Sequence, residues 1–136
     1  MSNLNIQERR MGEVTVLDMD GNIRIGGSNV ALKKAILSLV AEGRNQIVLN
    51  LARVVYIDSS GLGELISGHV TLNHKGGQIK LLNLTPRLLE LMTITKLVAI
   101  FDVYENESKA VASFKIDFAN AVPAAPGMTS APLSNR

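Results

Sequence analysis

The chain of 136 residues is 46% hydrophobic and 19% charged, and fourteen Lys and Arg against twelve Asp and Glu leave a formal net charge of +2. One domain with a sizeable core is expected at this length; the basic residues fall as scattered pairs (Arg9-Arg10, Lys33-Lys34), and with two Tyr, three Phe and no Trp to stack on bases, no nucleic-acid partner is expected. Zero cysteines exclude disulfides, thiolate catalysis and Cys-based zinc sites, while the lack of any apolar run of ~18–20 residues or of a secretory h-region predicts a cytoplasmic protein with no membrane partner.

Leu4 and Ile6 alternate in "LNIQER", as do Val14 and Val16 in "EVTVLDM", so the two runs around Met11-Gly12 predict a hairpin. Asp20-Gly21-Asn22 then reads as a turn. Ser28 is placed to cap a helix running to about Glu42, with Leu32, Ile36, Leu39 and Val40 on its inner stripe and Gly43 at the end, where positive φ is favoured. "QIVLNL" and "VVYI" follow as buried strand. A second helix begins near Ser60, with Leu62, Leu65, Ile66, His69, Val70 and Asn73 at helical spacing, and "KGG" at 75–77 ends it.

"QIKLLNL" is a further strand, and Thr85-Pro86 is a cap followed by proline at the first helical position, leading a helix with Leu88, Leu89 and Met92 inward. "LVAIFDV" reads as the last strand. A final helix from about Glu105 to Phe118 carries Ala110, Val111, Phe114 and Phe118 on its inner side. From Ala119 the pattern stops in "ANAVPAAPGMTSAPLSNR", which holds three of the four prolines and reads as a flexible tail. Strands alternating with helices predict a small α/β domain over 1–118, its sheet mostly parallel through right-handed crossovers and made mixed by the hairpin, with about four helices and a tail over 119–136.

The stretch with most chemistry is "IDSSGLG" at 57–63. A nucleophile elbow of the G-x-S-x-G type needs glycine two places either side of the serine, and neither Ser59 nor Ser60 has both. His69 lies on the apolar stripe of its own helix and His74 at the helix end, so neither is well placed as a base. There is no G-x-x-x-x-G-K-[ST] loop, no H-x-x-x-H and no clustered carboxylates, so no cofactor or metal is expected, although a helix N-terminus can hold an anion without a motif. Asp58, Ser59 or Ser60 can each cap the helix. Capping leaves unexplained two glycines in its first turn, each costing ~1 kcal/mol against alanine. Bare backbone there is suited to close approach by a partner.

The run "GNIRIGGSNVALKKAI…QIVLNLARVVYIDSSGLGELI…GGQIKLLNLTPRLLELMTITKLVAIFDVYEN" resembles the STAS domain, and within it the stand-alone bacterial anti-sigma factor antagonists, over about residues 4–118. "VVYIDSSGLG" is the most specific piece. The resemblance implies a non-enzymatic switch: Ser59 is phosphorylated, Ser60 being the weaker candidate, by a GHKL-type serine kinase that is also the anti-sigma factor. A metal-dependent serine phosphatase removes the phosphate. The unphosphorylated form binds the kinase and frees a sigma factor, with Asp58, Ser60, Gly61, Leu62 and Gly63 at the docking surface. The alternatives are a STAS scaffold in a stress-sensing or lipid-transport assembly without a phosphate cycle, and a small hydrolase or nucleotide-binding enzyme.

Overall fold

The computed structural model describes the backbone of residues 4–121 and the side chains of residues 4–114. Ten elements follow one another: β1 Leu4–Met11, β2 Val14–Ile23, α1 Ser28–Ala41, β3 Gln46–Ile57, α2 Ser59–His74, β4 Gln78–Leu82, α3 Pro86–Ile94, a short 3-10 turn Leu97–Ala99, β5 Asp102–Tyr104 and α4 Glu107–Ala121. The five strands form one sheet in the order β1-β2-β3-β4-β5, antiparallel between β1 and β2 and parallel thereafter. This is the mixed α/β sheet with an N-terminal hairpin and four helices that the sequence predicts. Gly12, at φ 66, makes the hairpin turn that a residue with a side chain adopts only with strain.

Register decides which side chains meet which helices. Val16, Val48, Lys80 and Asp102 line up across β2 to β5. On that face Val14, Val16, Val48 and Leu82 pack with Ala110 and Phe114 of α4. The alternate residues, including Leu17, Ile47, Leu49, Ile79 and Leu81, form the larger core with Leu32, Ile36 and Leu39 of α1 and Leu65 and Leu72 of α2. Parallel strands covered on both faces account for the near-continuous apolar runs in β3 and β4. Arg9 of β1 ties the α4 side together, bonding both Asp18 of β2 and Glu107 at the start of α4. These bonds hold the Asp18 and Glu107 carboxyls below their ordinary range.

Several expectations are corrected. Asp20-Gly21-Asn22 is no turn: it lies within β2, where the register against β3 slips and Gly21 takes φ 129, so the glycine serves an irregular strand. "QIVLNL" and "VVYI" are one continuous strand of 12 residues. Gly27, not Ser28, occupies the N-cap of α1; Ser28 is buried inside the first turn, where its Oγ accepts from Arg24 N and donates to Arg24 O. "LVAIFDV" splits into the 3-10 turn and a strand of only 3 residues, because Lys96 enters the left-handed region at φ 65 and turns the chain before Phe101 can pair. α4 runs from Glu107 to Ala121, past the expected end at Phe118. The Phe118 side chain and residues 122–136 of the proposed tail lie outside the described residues.

The inner face of α2 is also rotated from the expected stripe. Gly61, Leu65, Gly68 and Leu72 face the core, while Ile66 and Val70 are exposed, and on α3 Leu89 is exposed as well. Apolar periodicity misses this because two of the four inward positions are glycine. A Cβ on Gly68 would lie 3.0 Å from Ile36 Cδ1 and 3.1 Å from Ile79 Cδ1, so α2 approaches both α1 and the sheet at this point.

Gly77, entering β4, is tighter still: a Cβ there would stand 2.0 Å from the backbone oxygen of Asn45. Backbone has less freedom to yield than a side-chain tip. Gly77→Ala is therefore expected to lower the unfolding free energy by about 1–3 kcal/mol or more, measured by denaturant titration. A wild-type midpoint would contradict the packing at the β3–β4 entry.

Candidate functional site

β3 ends beside the end of β2, where Asp58 N donates to Ile23 O at 3.0 Å, and α2 starts at the next residue. Asp58 is the N-cap, in extended backbone at φ −93 and ψ −177. Its Oδ1 accepts from Gly61 N at 3.0 Å and from the Ser60 hydroxyl, satisfying a free donor of the first turn. Its Oδ2 accepts from Ile25 N at 2.9 Å, in the loop between β2 and α1. One carboxylate thus binds two separate segments of chain. The Ser60 hydroxyl, with the Ile25 and Gly61 amides, holds the Asp58 carboxyl down to about 2.

With Asp58 and Ser60 bonded to each other, Ser59 is left distinct. It is exposed at the first position of α2, and its hydroxyl bonds to none of the described residues. The two first-turn glycines part company. Gly61 is buried, and a Cβ there would lie 2.7 Å from both Ile23 Cγ2 and Ile57 Cγ2. The expected docking role of Gly61 is therefore corrected to a packing role: it lets α2 settle onto the ends of β2 and β3. Gly63 is exposed with open space around its Cα, as a docking surface requires. Leu62 is half-buried, packed against the core.

Leu62 also lines a groove of about 550 Å³ between the start of α2 and α3, together with Tyr56, Asp58, Ser59, Arg87 and Ile94. Ile94, which lines it, is 71% exposed, and Ile25, whose amide bonds the Asp58 carboxylate, is 77% exposed. Arg24 lies over the Tyr56 ring at 5.0 Å from its centre. Sequence reasoning missed Ile25, Tyr56, Arg87 and Ile94. A lone exposed isoleucine in a loop or at a helix end carries no periodic signal, and only the fold brings α3 beside Ser59.

No base reaches Ser59 from the histidines. His69 sits ten residues further along α2, about 15 Å by helical rise, with Nε2 at 3.1 Å from Asn73 Nδ2 and its ring centre 4.9 Å from that of Phe101. Among the described residues no group of three His, Asp or Glu could hold a metal ion, and no helix is long and apolar enough to cross a membrane. The arrangement presents a hydroxyl and an apolar groove. It offers a surface for recognition, without the assembled base and oxyanion donors of acyl transfer.

The STAS domain model matches residues 5–110. Among curated relatives, the anti-sigma F factor antagonist of Paenibacillus polymyxa is 25% identical, over 84% of this chain and 97% of that one. The anti-sigma-B factor antagonist of Bacillus subtilis is 30% identical, over 74% of this chain and 91% of its own. Both are antagonists, a binding role and not a catalysed reaction. Among solved structures, an anti-sigma factor antagonist from Mycobacterium paratuberculosis superposes with a TM-score of 0.72 at 23% identity, over 81% of this chain and 92% of that one. The Bacillus cell fate determinant SpoIIAA in its phosphorylated form gives 0.65 at 20% identity, over 81% and 99%. At these identities the two structures bear on the fold.

Two outcomes test the site geometry. Gly61→Ala is expected to destabilise by about 1–3 kcal/mol through overpacking, whereas Gly63→Ala, with room for its methyl, is expected to stabilise by up to about 1 kcal/mol; equal midpoints in denaturant would contradict the split. The Asp58 carboxyl is depressed in the folded state, so its contribution to stability is present above the unfolded value near 3.8 and is lost as pH falls toward about 2. The stability gap between wild type and Asp58→Asn should therefore be open at pH 7 and close on acidification. A gap unchanged down to about pH 2 would contradict the capping account.

Proposed function

The chain belongs to the STAS-domain family, and from that premise we propose that it is an anti-sigma factor antagonist switched by phosphorylation of Ser59. The unphosphorylated form binds an anti-sigma factor that is also a GHKL-type serine kinase, and the sigma factor is released. The kinase phosphorylates Ser59, which ends the binding, and a metal-dependent serine phosphatase restores it. The exchange takes place in the cytoplasm, on a single domain whose last helix runs to Ala121, with the residues beyond it as a tail.

The observation that carries this reading is the contrast between the two serines. A kinase needs a hydroxyl it can reach: Ser59 is exposed and bonds none of the described residues through its hydroxyl, while Ser60 is half-buried and committed to Asp58. The surroundings fit a partner surface: Leu62 and Ile94 line the groove with Ser59, Gly63 is exposed, and Ile25, bonded through its amide to Asp58, is a further exposed apolar side chain. Asp58 fixes the shape of that surface more than it contacts the partner.

The energetics are of the right size. Phosphate adds about 1.5–2 negative charges and three strong acceptors. At the start of α2 it meets the positive end of the helix dipole, which favours a negative charge, so the fold tolerates it. Against a partner it meets desolvation, and leaving a buried charge unpaired costs about 3–5 kcal/mol. Shifting a two-state choice from 1:99 to 99:1 takes about 5.5 kcal/mol.

Ser59→Asp is expected to weaken binding to the kinase of the same host by at least about tenfold, equivalent to ~1.4 kcal/mol, with an unchanged melting temperature. Ser59→Ala should bind as the unphosphorylated wild type does and resist release by ATP. Calorimetry with the purified pair measures both. Wild-type affinity for Ser59→Asp would contradict the charge mechanism and leave the scaffold alternative standing.

A further inference from the structure

We propose that Arg87 is the counter-charge for phosphate at Ser59, its guanidinium closing onto the phosphoserine across the groove between the start of α2 and α3. This rests on the reading of Ser59 as phosphoacceptor and adds how the phosphorylated state is held.

One arginine beside Ser59's groove has no partner among the described residues. Six arginines fall among the described residues. Arg9 binds Asp18 and Glu107, Arg10 binds Glu8 and Glu42, Arg44 binds Thr15 and the backbone of Gly12, Arg53 pairs with Asp20, and Arg24 lies on Tyr56. Arg87 alone has no hydrogen bond, ion pair or ring contact from its side chain among the described residues. It is exposed at the second position of α3, and it lines the same groove of about 550 Å³ as Ser59.

The charges facing that groove explain why a cation is needed there. The Asp58 carboxylate adjoins Ser59, and its hydrogen bonds from Ser60, Gly61 and Ile25 hold it ionised down to low pH. Glu90 of α3 also lines the groove and forms no ion pair with Arg87. A phosphate on Ser59 therefore enters a groove that two carboxylates line. Arg24, the other cation nearby, is occupied by the Tyr56 ring. Arg87 is the group free to answer, and its planar fork matches phosphate with two parallel hydrogen bonds.

The consequence reaches function. A phosphate bridged to Arg87 spans the groove between Leu62 and Ile94, occupying space that an apolar anchor of the partner would otherwise enter. The modification then acts by closing an intramolecular contact as well as by adding charge.

The test installs phosphoserine at position 59 of the full chain by genetic encoding, so no kinase is required, and follows its second ionisation by phosphorus NMR. Without its counter-charge, the phosphate of Arg87→Gln should bind its second proton about tenfold more tightly, a rise of about one pKa unit over the wild type. Arg87→Lys, which keeps the charge and loses the fork, should fall between, and Arg24→Gln should titrate as wild type. The melting temperature of unphosphorylated Arg87→Gln should match wild type, since the side chain is exposed. Identical titrations for wild type and Arg87→Gln overturn the proposal, as does a shift in Arg24→Gln alone. Because the phosphate is placed without a kinase, these outcomes are separate from failure to find phosphate on Ser59 in the host, which would overturn the underlying reading.

Discussion

The site depends on one carboxylate. Asp58 caps α2, accepts the Ser60 hydroxyl and holds the Ile25 amide, so a side chain of four heavy atoms beyond Cα joins the end of β3, the first turn of α2 and the loop leading into α1. Each bond removes a donor that would otherwise need water, and together they remove the freedom of the two segments to separate. Ser59 is defined by this arrangement. It is the serine of "DSSGLG" that the cap neither uses nor buries, beside a carboxylate fixed by three hydrogen bonds. A surface of that kind binds without first paying to order itself.

Close approach supplies the second constraint. Gly61 lets α2 rest on Ile23 and Ile57, and Gly68 lets the same helix meet Ile36 and Ile79 further along. A helix held at two points where no side chain intervenes has little room to shift. A charge added at its first residue is therefore felt by whatever docks there, while the core beneath stays as it is. The opposite face of the sheet is secured separately. Arg9 joins β1, β2 and α4, and Lys80, buried at 1% exposure, lies 4.7 Å from the centre of the Phe114 ring with Asp102 at 3.5 Å.

Where local chemistry determines structure, the sequence was legible. The hairpin at Gly12, the cap and proline at Thr85-Pro86, and the stop at Gly43, with φ 79, all depend on residues within one turn of each other. It was misleading where a residue type has two uses. Gly21 reads as a turn and serves an irregular strand; the glycines of α2 read as exposed backbone, and Gly61 proves to be a packing surface. The apolar stripe of α2 was misplaced for the same reason, since glycine at an inward position is silent in a hydrophobic pattern. The burial of Lys80 within "QIKLL" is not legible in the strand itself, because a lysine in an apolar strand finds its setting only once α4 is folded over it. At the site, the motif pointed to Ser59 but not to Arg87 or Ile94, which come from a helix 28 or more residues later and meet it only through the sheet order.

The central claim is that Ser59 is the residue the cell modifies, and the direct measurement is phosphate mapping on protein purified from its native host across growth and stress conditions, by intact and fragment mass. Phosphate on Ser59, varying with condition and absent from Ser60, is the expected result. Phosphate on Ser60 would contradict the division of roles between the two serines. No phosphate under any condition would reduce Ser59 to the exposed first residue of a capped helix and make this domain a scaffold.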